Sequence, residues 1–409
     1  MNILNRRTLF YLFIGLRLTL MLVYLPLLLD GVERGLTAFG DFQTYFTFAE
    51  LSKNGQFPYR DYWYEFPPIF PAISLAVYTL TSGEKGNFTA YAVLLGVIMT
   101  LVDCGNLWRV MRIGQVLHGE PTALGLGFAY ALLAAPLVLT WWTFEPLVTF
   151  FVLTALEALL HRRDTQAGVW IALGALTKIW PLALLGAVIR YRTPSVALKG
   201  IVITLILTGI GLGGMFVIGN RFAIPSLAAQ FNKASYSTVW ALLDRNYKTG
   251  NFGPVSDRFD PAKAYELQGN PATISAWLRL IVFAGIGSGV YITTRRYDQR
   301  GMVAFVTITI VLFFLWAQGW SPQWQTTLMP LILLNFPNRN GIVACLALSA
   351  CSFIEYPVLF MRTGETEGVL TGSQLPLFAA VVIARTLLLA GVGVGVYQSL
   401  RLKRTAPAH

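Results

Sequence analysis

Long apolar runs alternate with short polar loops along most of the chain. Runs at 9–29, 88–110, 122–140, 146–161, 200–218, 276–293, 301–317, 325–336, 341–360 and 375–400 are candidate membrane crossings. A full crossing takes about 20 mostly apolar residues. Two further runs, 167–177 and 180–190, are separated by Lys178-Ile179-Trp180-Pro181. The run 66–81 starts with Pro67-Pro68 and contains Pro71. Prolines are tolerated in a first helical turn, and 66–81 reads as a helix lodged in the interface that does not cross. Residues 42–53, FQTYFTFAELSK, repeat Phe42, Phe46 and Ala49 at helical spacing, with Gln43, Thr44, Thr47 and Glu50 on other faces. That predicts a short amphipathic helix along the membrane surface. Only 219–275 is both long and polar, with Gly, Pro and Asn turn signals and little regular structure expected. The prediction is an all-α polytopic transmembrane helix bundle. It forms one membrane domain over 1–409, with interfacial helices in a first external loop, 30–87, and a long external loop, 219–275.

Composition supports a lipid environment. The chain is 55% apolar and 12% charged, against about 25% charged in soluble domains. Its net charge of +11 does not point to nucleic acid, because the basic residues sit in short loops between apolar runs. They read instead as an orientation signal. The cytoplasmic set is Arg6/Arg7, Arg109/Arg112, Arg162/Arg163, Arg190/Arg192/Lys199, Arg295/Arg296/Arg300, Arg339 and Arg401/Lys403/Arg404. It gathers 16 basic residues against Glu120, Asp164 and Asp298. The other side holds 12 basic and 14 acidic residues. Both termini are then cytoplasmic in a cell-membrane protein. The run 9–29 lacks a small-residue cleavage site and reads as a retained span.

This orientation puts Arg163 and Arg190 on one side, so 167–190 must rise and return, turning at Lys178. Each arm is about 16 Å long, roughly half of a ~30 Å hydrocarbon core. Lys178 then lies below the outer surface, where an ammonium needs a polar cavity or an anion. The rival reading is one kinked helix with Lys178 snorkelling, which moves Arg109, Arg112, Arg162 and Arg163 outside. Arg17, Asp103, Glu157, Glu355 and Arg385 lie within apolar runs, either paired with one another or near interfaces. Cys104, Cys345 and Cys351 form no CxxC pair and read as packing residues. His118, His161 and His409 fall at loops or the C-terminus, which argues against a histidine-based metal or nucleophile site.

The first external loop concentrates polar chemistry: Asp41, Arg60, Asp61 and Glu65 within GDFQTYFTFAELSKNGQFPYRDYWYEFPPIFP. Taken singly, each has a plain structural reading. Asp41 fits a helix N-cap; Tyr59, Tyr62, Trp63 and Tyr64 fit interfacial anchors; Arg60, Asp61 and Glu65 fit a surface salt-bridge cluster.

Taken together, these residues resemble the first external loop of the GT-C superfamily of multi-pass glycosyltransferases. The resemblance is greatest to the family 87 type, which includes polyprenyl-phosphate-mannose-dependent mannosyltransferases. The matching features are Asp41, Tyr45, Gly55 to Pro58-Tyr59, and Tyr64 to Pro67-Pro68. Weaker matches follow in the expected order: GALTKIWPLALL, QFNKASYSTVWALL and WSPQWQTTLMPLILL. Some relatives carry an Asp-x-Asp pair for metal, where this chain has Gly40-Asp41-Phe42. Some carry a histidine near the late Ser-Pro motif; here Gln323 or Gln318 stands in that region.

The resemblance implies an external active site and transfer of a hexose, mannose being the common cargo, from a polyprenyl-phosphate sugar to a lipid or glycolipid acceptor. It implies inversion, with Asp41 as general base, and Glu65 and Glu145 as further carboxylates of the catalytic group. Donor-binding candidates are Arg60, Lys178, Lys233, Trp240, Trp320, Gln323 and Trp324. A leaving phosphate monoester with a second pKa near 6 departs without a general acid, so one carboxylate beside cations suffices. A glycosidase would instead need two carboxylates flanking the bond. No metal-ligand set is assigned; a divalent Mg or Mn ion is the only cofactor considered. Membrane lipids are expected partners, nucleic acid is not, and the chain is expected to be a monomer. The alternatives are a transporter or lipid flippase, for which repeats and breaks in both halves are the usual mark, and a non-catalytic scaffold.

Overall fold

The computed structural model describes residues 5–30, 41–81, 87–133, 139–141, 143–230, 232–248, 253–360, 363 and 368–402. Among these, six helices are long and apolar enough to cross a membrane: Phe88–His118, Pro194–Gly219, Ala276–Thr293, Gln299–Trp316, Arg339–Leu359 and Gln374–Arg401. The α-helices in chain order are α1 (Arg6–Asp30), α2 (Asp41–Glu50), α3 (Ile69–Thr81), α4 (Phe88–His118), α5 (Glu120–Leu132), α6 (Glu145–Leu160), α7 (Asp164–Ala175), α8 (Leu185–Tyr191), α9 (Pro194–Ala228), α10 (Val239–Asp244), α11 (Ala276–Thr293), α12 (Gln299–Trp316), α13 (Gln325–Asn335), α14 (Arg339–Phe353) and α15 (Gln374–Arg401).

Two short helices form the centre. All of α6 except Phe150, and all of α13 except Asn335, is buried. Both are mostly apolar, as a helix enclosed by others must be, and the polar side chains of Glu145, Thr149, Glu157 and Thr327 are bonded within the bundle. They are stitched together by Thr149 and Thr327, whose hydroxyls lie 2.7 Å apart. Helix α4 packs against α5 and α6, α6 against α7, and α7 against α9, while α12 packs against α15.

The segment 164–191 rises and returns. α7 ends at Ala175, the chain turns through 176–179, and a 3-10 helix (Trp180–Leu184) leads into α8. At its feet Arg192 Nε meets Asp164 Oδ1 at 2.5 Å; at its tip Lys178 meets Glu145 at the start of α6. A single kinked helix is incompatible with feet in contact.

The charges within apolar runs find one another. Arg17 pairs with Asp103 at 2.6 Å, both fully enclosed, and Tyr130 Oη donates to the same carboxylate at 2.6 Å. Glu157 receives Arg109 at 2.5 Å and Arg112 at 3.2 Å. Arg385 pairs with Glu355.

Several boundaries differ from the sequence reading. The stretch 219–275 begins inside a helix: α9 runs about 52 Å from Pro194 to Ala228, with Pro225 inside it. Its last turns stay helical because Phe222 and Ala229 pack on Trp63 and Ala264. A Cβ on Gly219 would lie 2.3 Å from the Tyr59 carbonyl oxygen, so only glycine permits this approach. Helix α10 and two 3-10 helices, Val255–Phe259 and Pro261–Tyr265, further order that stretch. The crossing 122–140 is helical as α5 to Leu132; 134–138 lie outside the described residues. The run 341–360 leaves α14 at Phe353 for a π-type segment, Ile354–Leu359, broken at Tyr356.

Candidate active site

Asp41 begins α2, a helix of only ten residues. Its buried face is Phe42, Tyr45, Phe48 and Ala49, one step round from the Phe42-Phe46-Ala49 stripe; Phe46 instead meets Tyr78, Phe88 and Tyr91 edge-on. Tyr45 is held among Phe66, Phe70 and Phe144. From there its hydroxyl donates 3.0 Å to Asp41 Oδ2. Gln323 Nε2 donates to the same oxygen at 3.3 Å. The carboxylate thus faces side chains from two distant parts of the chain. Burial pushes its pKa up to about 6. The Tyr45 hydrogen bond and nearby Lys178 pull it down, while Glu65 and Glu145 push it up.

Two ammonium groups share this region, each paired. Lys178 Nζ lies 2.7 Å from Glu145 Oε2, with Glu145 fully buried. It also sits 5.5 Å from the Phe144 ring and 5.6 Å from the Trp324 ring, over their faces. Lys233 Nζ lies 2.8 Å from Glu65 Oε2. Burial raises the Glu65 pKa, but Lys233 and Arg258 outweigh it and hold the carboxyl below its ordinary range. Glu145 opens α6 and Asp41 opens α2. Carboxylates at these positions meet the partial positive charge of a helix N-terminus, which also favours an incoming anion.

The third side is the 317–324 turn. The Tyr236 N–H donates to Gln318 O, and the Trp320 N–H to Tyr236 O, both at 3.1 Å. A Cβ on Gly319 would fall 2.1 Å from the Tyr236 ring. This close apposition places the 3-10 helix Pro322–Trp324 so that Gln323 reaches Asp41. Trp324 stacks on Phe314 at 4.8 Å.

The structure therefore gathers Asp41, Glu65, Glu145, Lys178, Lys233, Gln323 and Trp324. Of the other three expected residues, Arg60 and Trp240 stand apart, while Trp320 packs edge-on against Trp324 at 5.6 Å. Arg60 is half exposed, bound to Asp61 at 2.8 Å and to the Gly55 carbonyl. Trp240 Nε1 donates to Leu315 O at 2.9 Å, and its ring lies under Arg279. Trp320 is a buried support: its Nε1 donates to Glu355 at 3.2 Å, and Arg385 lies 4.6 Å over its ring.

Arg258 was not singled out in the sequence, yet it is buried. Its guanidinium lies 3.9 Å over Trp63 and 5.5 Å over Phe48. Trp63 Nε1 in turn donates to the carbonyls of Asp257 and Asp260. No local motif marks Arg258; its place depends on the 253–266 segment folding onto Trp63. For metal, no three His, Cys, Asp or Glu side chains converge to hold an ion among the described residues. Glu65 and Glu145 are committed to lysines, so no step is assigned to Mg or Mn.

No protein-family model matches the chain, and no curated protein matches it. Among solved structures, ArnT from Cupriavidus metallidurans in the apo state aligns over 95% of this chain and 75% of its own, with TM-score 0.51 and 16% identity. Its form bound to undecaprenyl phosphate gives 95%, 76%, 0.47 and 17%. The apo oligosaccharyltransferase of Archaeoglobus fulgidus gives 96%, 56%, 0.41 and 12%. The apo ArnT alignment carries the fold: this chain is an all-α membrane helix bundle folded like that protein.

Proposed function

On that fold, we propose that the chain transfers a hexose from a polyprenyl-phosphate donor to a hydroxyl of a lipid-linked or glycolipid acceptor, inverting the anomeric carbon. Mannose is the cargo implied by the family 87 resemblance. The observation that carries this reading is Asp41, whose raised pKa lies near neutrality and whose surroundings hold two lysines. A base works best with a pKa close to the working pH.

In the proposed step the acceptor oxygen attacks the anomeric carbon from the face opposite the phosphate. Asp41 takes the hydroxyl proton. The bond from carbon to phosphate oxygen breaks, and its electron pair leaves with polyprenyl phosphate as a dianion. Lys178 and Lys233 stabilise the charge that develops on those oxygens. Glu145 and Glu65 hold the two ammoniums in place, Gln323 orients Asp41, and Trp324 offers a face to the sugar. An apolar groove between α11 and α12, lined by Phe283, Tyr291, Leu312, Phe313 and Trp316 among others, suits the polyprenyl tail. Its upper wall, Phe313, lies 6.4 Å from Trp324. The site faces outward and both termini are cytoplasmic in this reading.

The test is sugar transfer from radiolabelled polyprenyl-phosphate mannose in proteoliposomes, wild type beside Asp41→Asn. Loss of about 10²–10⁴-fold in rate with donor binding kept is expected. Equal rates would remove Asp41 as base. Lipid movement without sugar transfer in either protein would make it a flippase.

A further inference from the structure

A second polar basin lies at the end of the bundle remote from Asp41, where α4, α6 and α8 finish and α12 starts. We propose that it binds the phosphate of an anionic lipid head group. Arg162, Arg192, Arg296 and Arg300 line it, with Tyr191 and Tyr297 beside them. Opposing charge is sparse: Asp298 lines the basin, and Asp164 lies against Arg192. Four guanidiniums therefore meet two carboxylates.

Three of the four are held by a few of their five N–H donors. Arg192 donates to Asp164 and to the carbonyls of Tyr191 and Leu159. Arg296 donates twice to Asp298. Arg300 donates twice to Leu117 O, at 3.0 and 2.7 Å. These contacts splay the groups around the basin and leave donors over. Part of the arrangement is ordinary helix chemistry, since Arg192 and Arg300 satisfy carbonyls in the last turns of α6 and α4.

Helix capping does not account for Arg162. Its side chain is exposed and has no hydrogen-bond or ion-pair partner among the described residues. Its backbone sits at φ 58°, a left-handed conformation that arginine rarely adopts and asparagine or glycine accepts more readily. An arginine at that position adds positive charge to an already basic basin. Guanidinium forks match phosphate oxygens. The depth fits a lipid, because half-buried Tyr191 and exposed Tyr297 are residues of the membrane boundary, and basic pockets between helices at that level take anionic head groups.

Native mass spectrometry of the full chain tests this, with phosphatidylglycerol, phosphatidylcholine and inorganic pyrophosphate as probes. Wild type should retain phosphatidylglycerol over phosphatidylcholine. Arg162→Asn, which suits the left-handed backbone and breaks no contact, should lower that retention about fivefold; Arg162→Lys should keep most of it. A lipid source also requires pyrophosphate to leave the bound lipid in place. Pyrophosphate binding that Arg162→Asn abolishes, with no preference between the lipids, would overturn the lipid assignment. Equal phosphatidylglycerol occupancy in wild type and Arg162→Asn would overturn the site altogether.

Discussion

Asp41 is an acid whose ionisation is opposed by its own surroundings. Below pH about 6 it is protonated and cannot accept the acceptor's proton, so transfer should climb as pH rises through about 6. The same shift has a stability signature. A carboxyl raised in the folded state favours folding while protonated and loses that advantage as pH rises through its folded pKa. Asp41→Asn cannot ionise, so its melting temperature should gain on wild type between pH 5 and pH 8. Thermal unfolding at both values in the same detergent checks this, and a constant difference would contradict the assigned pKa. Asp41 was legible in the sequence only through the resemblance of its loop, Asp41 to Pro68, since taken singly it reads as a helix N-cap. The Tyr45 and Gln323 hydrogen bonds were not, since Gln323 arrives from the far end of the chain and nothing local announces the meeting.

The rise-and-return segment 164–191 was legible for a different reason. Cationic residues at both ends of a run too short to cross twice leave the chain one route, up and back. Its tip pair is the part to test. Lys178→Met leaves Glu145 fully buried without its partner, a loss of up to about 3–5 kcal/mol that protonation of the carboxyl partly relieves. Lys178→Met with Glu145→Gln should recover most of that stability and none of the donor affinity. Denaturation midpoints and donor binding on the single and double variants give the two readouts; recovery of donor binding would show Lys178 to be merely structural. By contrast, the end of α9 misled the sequence reading. Gly219 and Pro225 look like turn signals, but the first allows a close backbone approach to Tyr59 and the second rides inside a helix. The apolar contacts of Phe222 and Ala229 with the Trp63 loop decide the outcome, and these exist only after folding.

Across the whole molecule, charge separates the two ends. The Asp41 end carries balanced acids and bases, and the opposite end carries an excess of arginine. If the positive end is cytoplasmic, Lys53→Cys should react with an impermeant maleimide on intact cells. Thr165→Cys should react only after permeabilisation. The reverse pattern would invert the topology. The native cysteines add little background, two being buried and Cys104 partly so. The bundle class was readable from run lengths alone, whereas the pairing of Arg17 with Asp103 and of Glu355 with Arg385 needed the helices in place. The tip at Lys178 and the helix that starts at Asp41 are gauged against one shared wall: Phe144 lies 5.5 Å from the Lys178 ammonium and 5.7 Å from the Tyr45 ring. The spacing between ammonium and base is thus fixed inside the protein, like the jaws of a caliper on one beam. Transfer should accordingly change little with acyl-chain length in vesicles that keep the protein folded, and a sharp optimum at one length would place the reference in the bilayer instead.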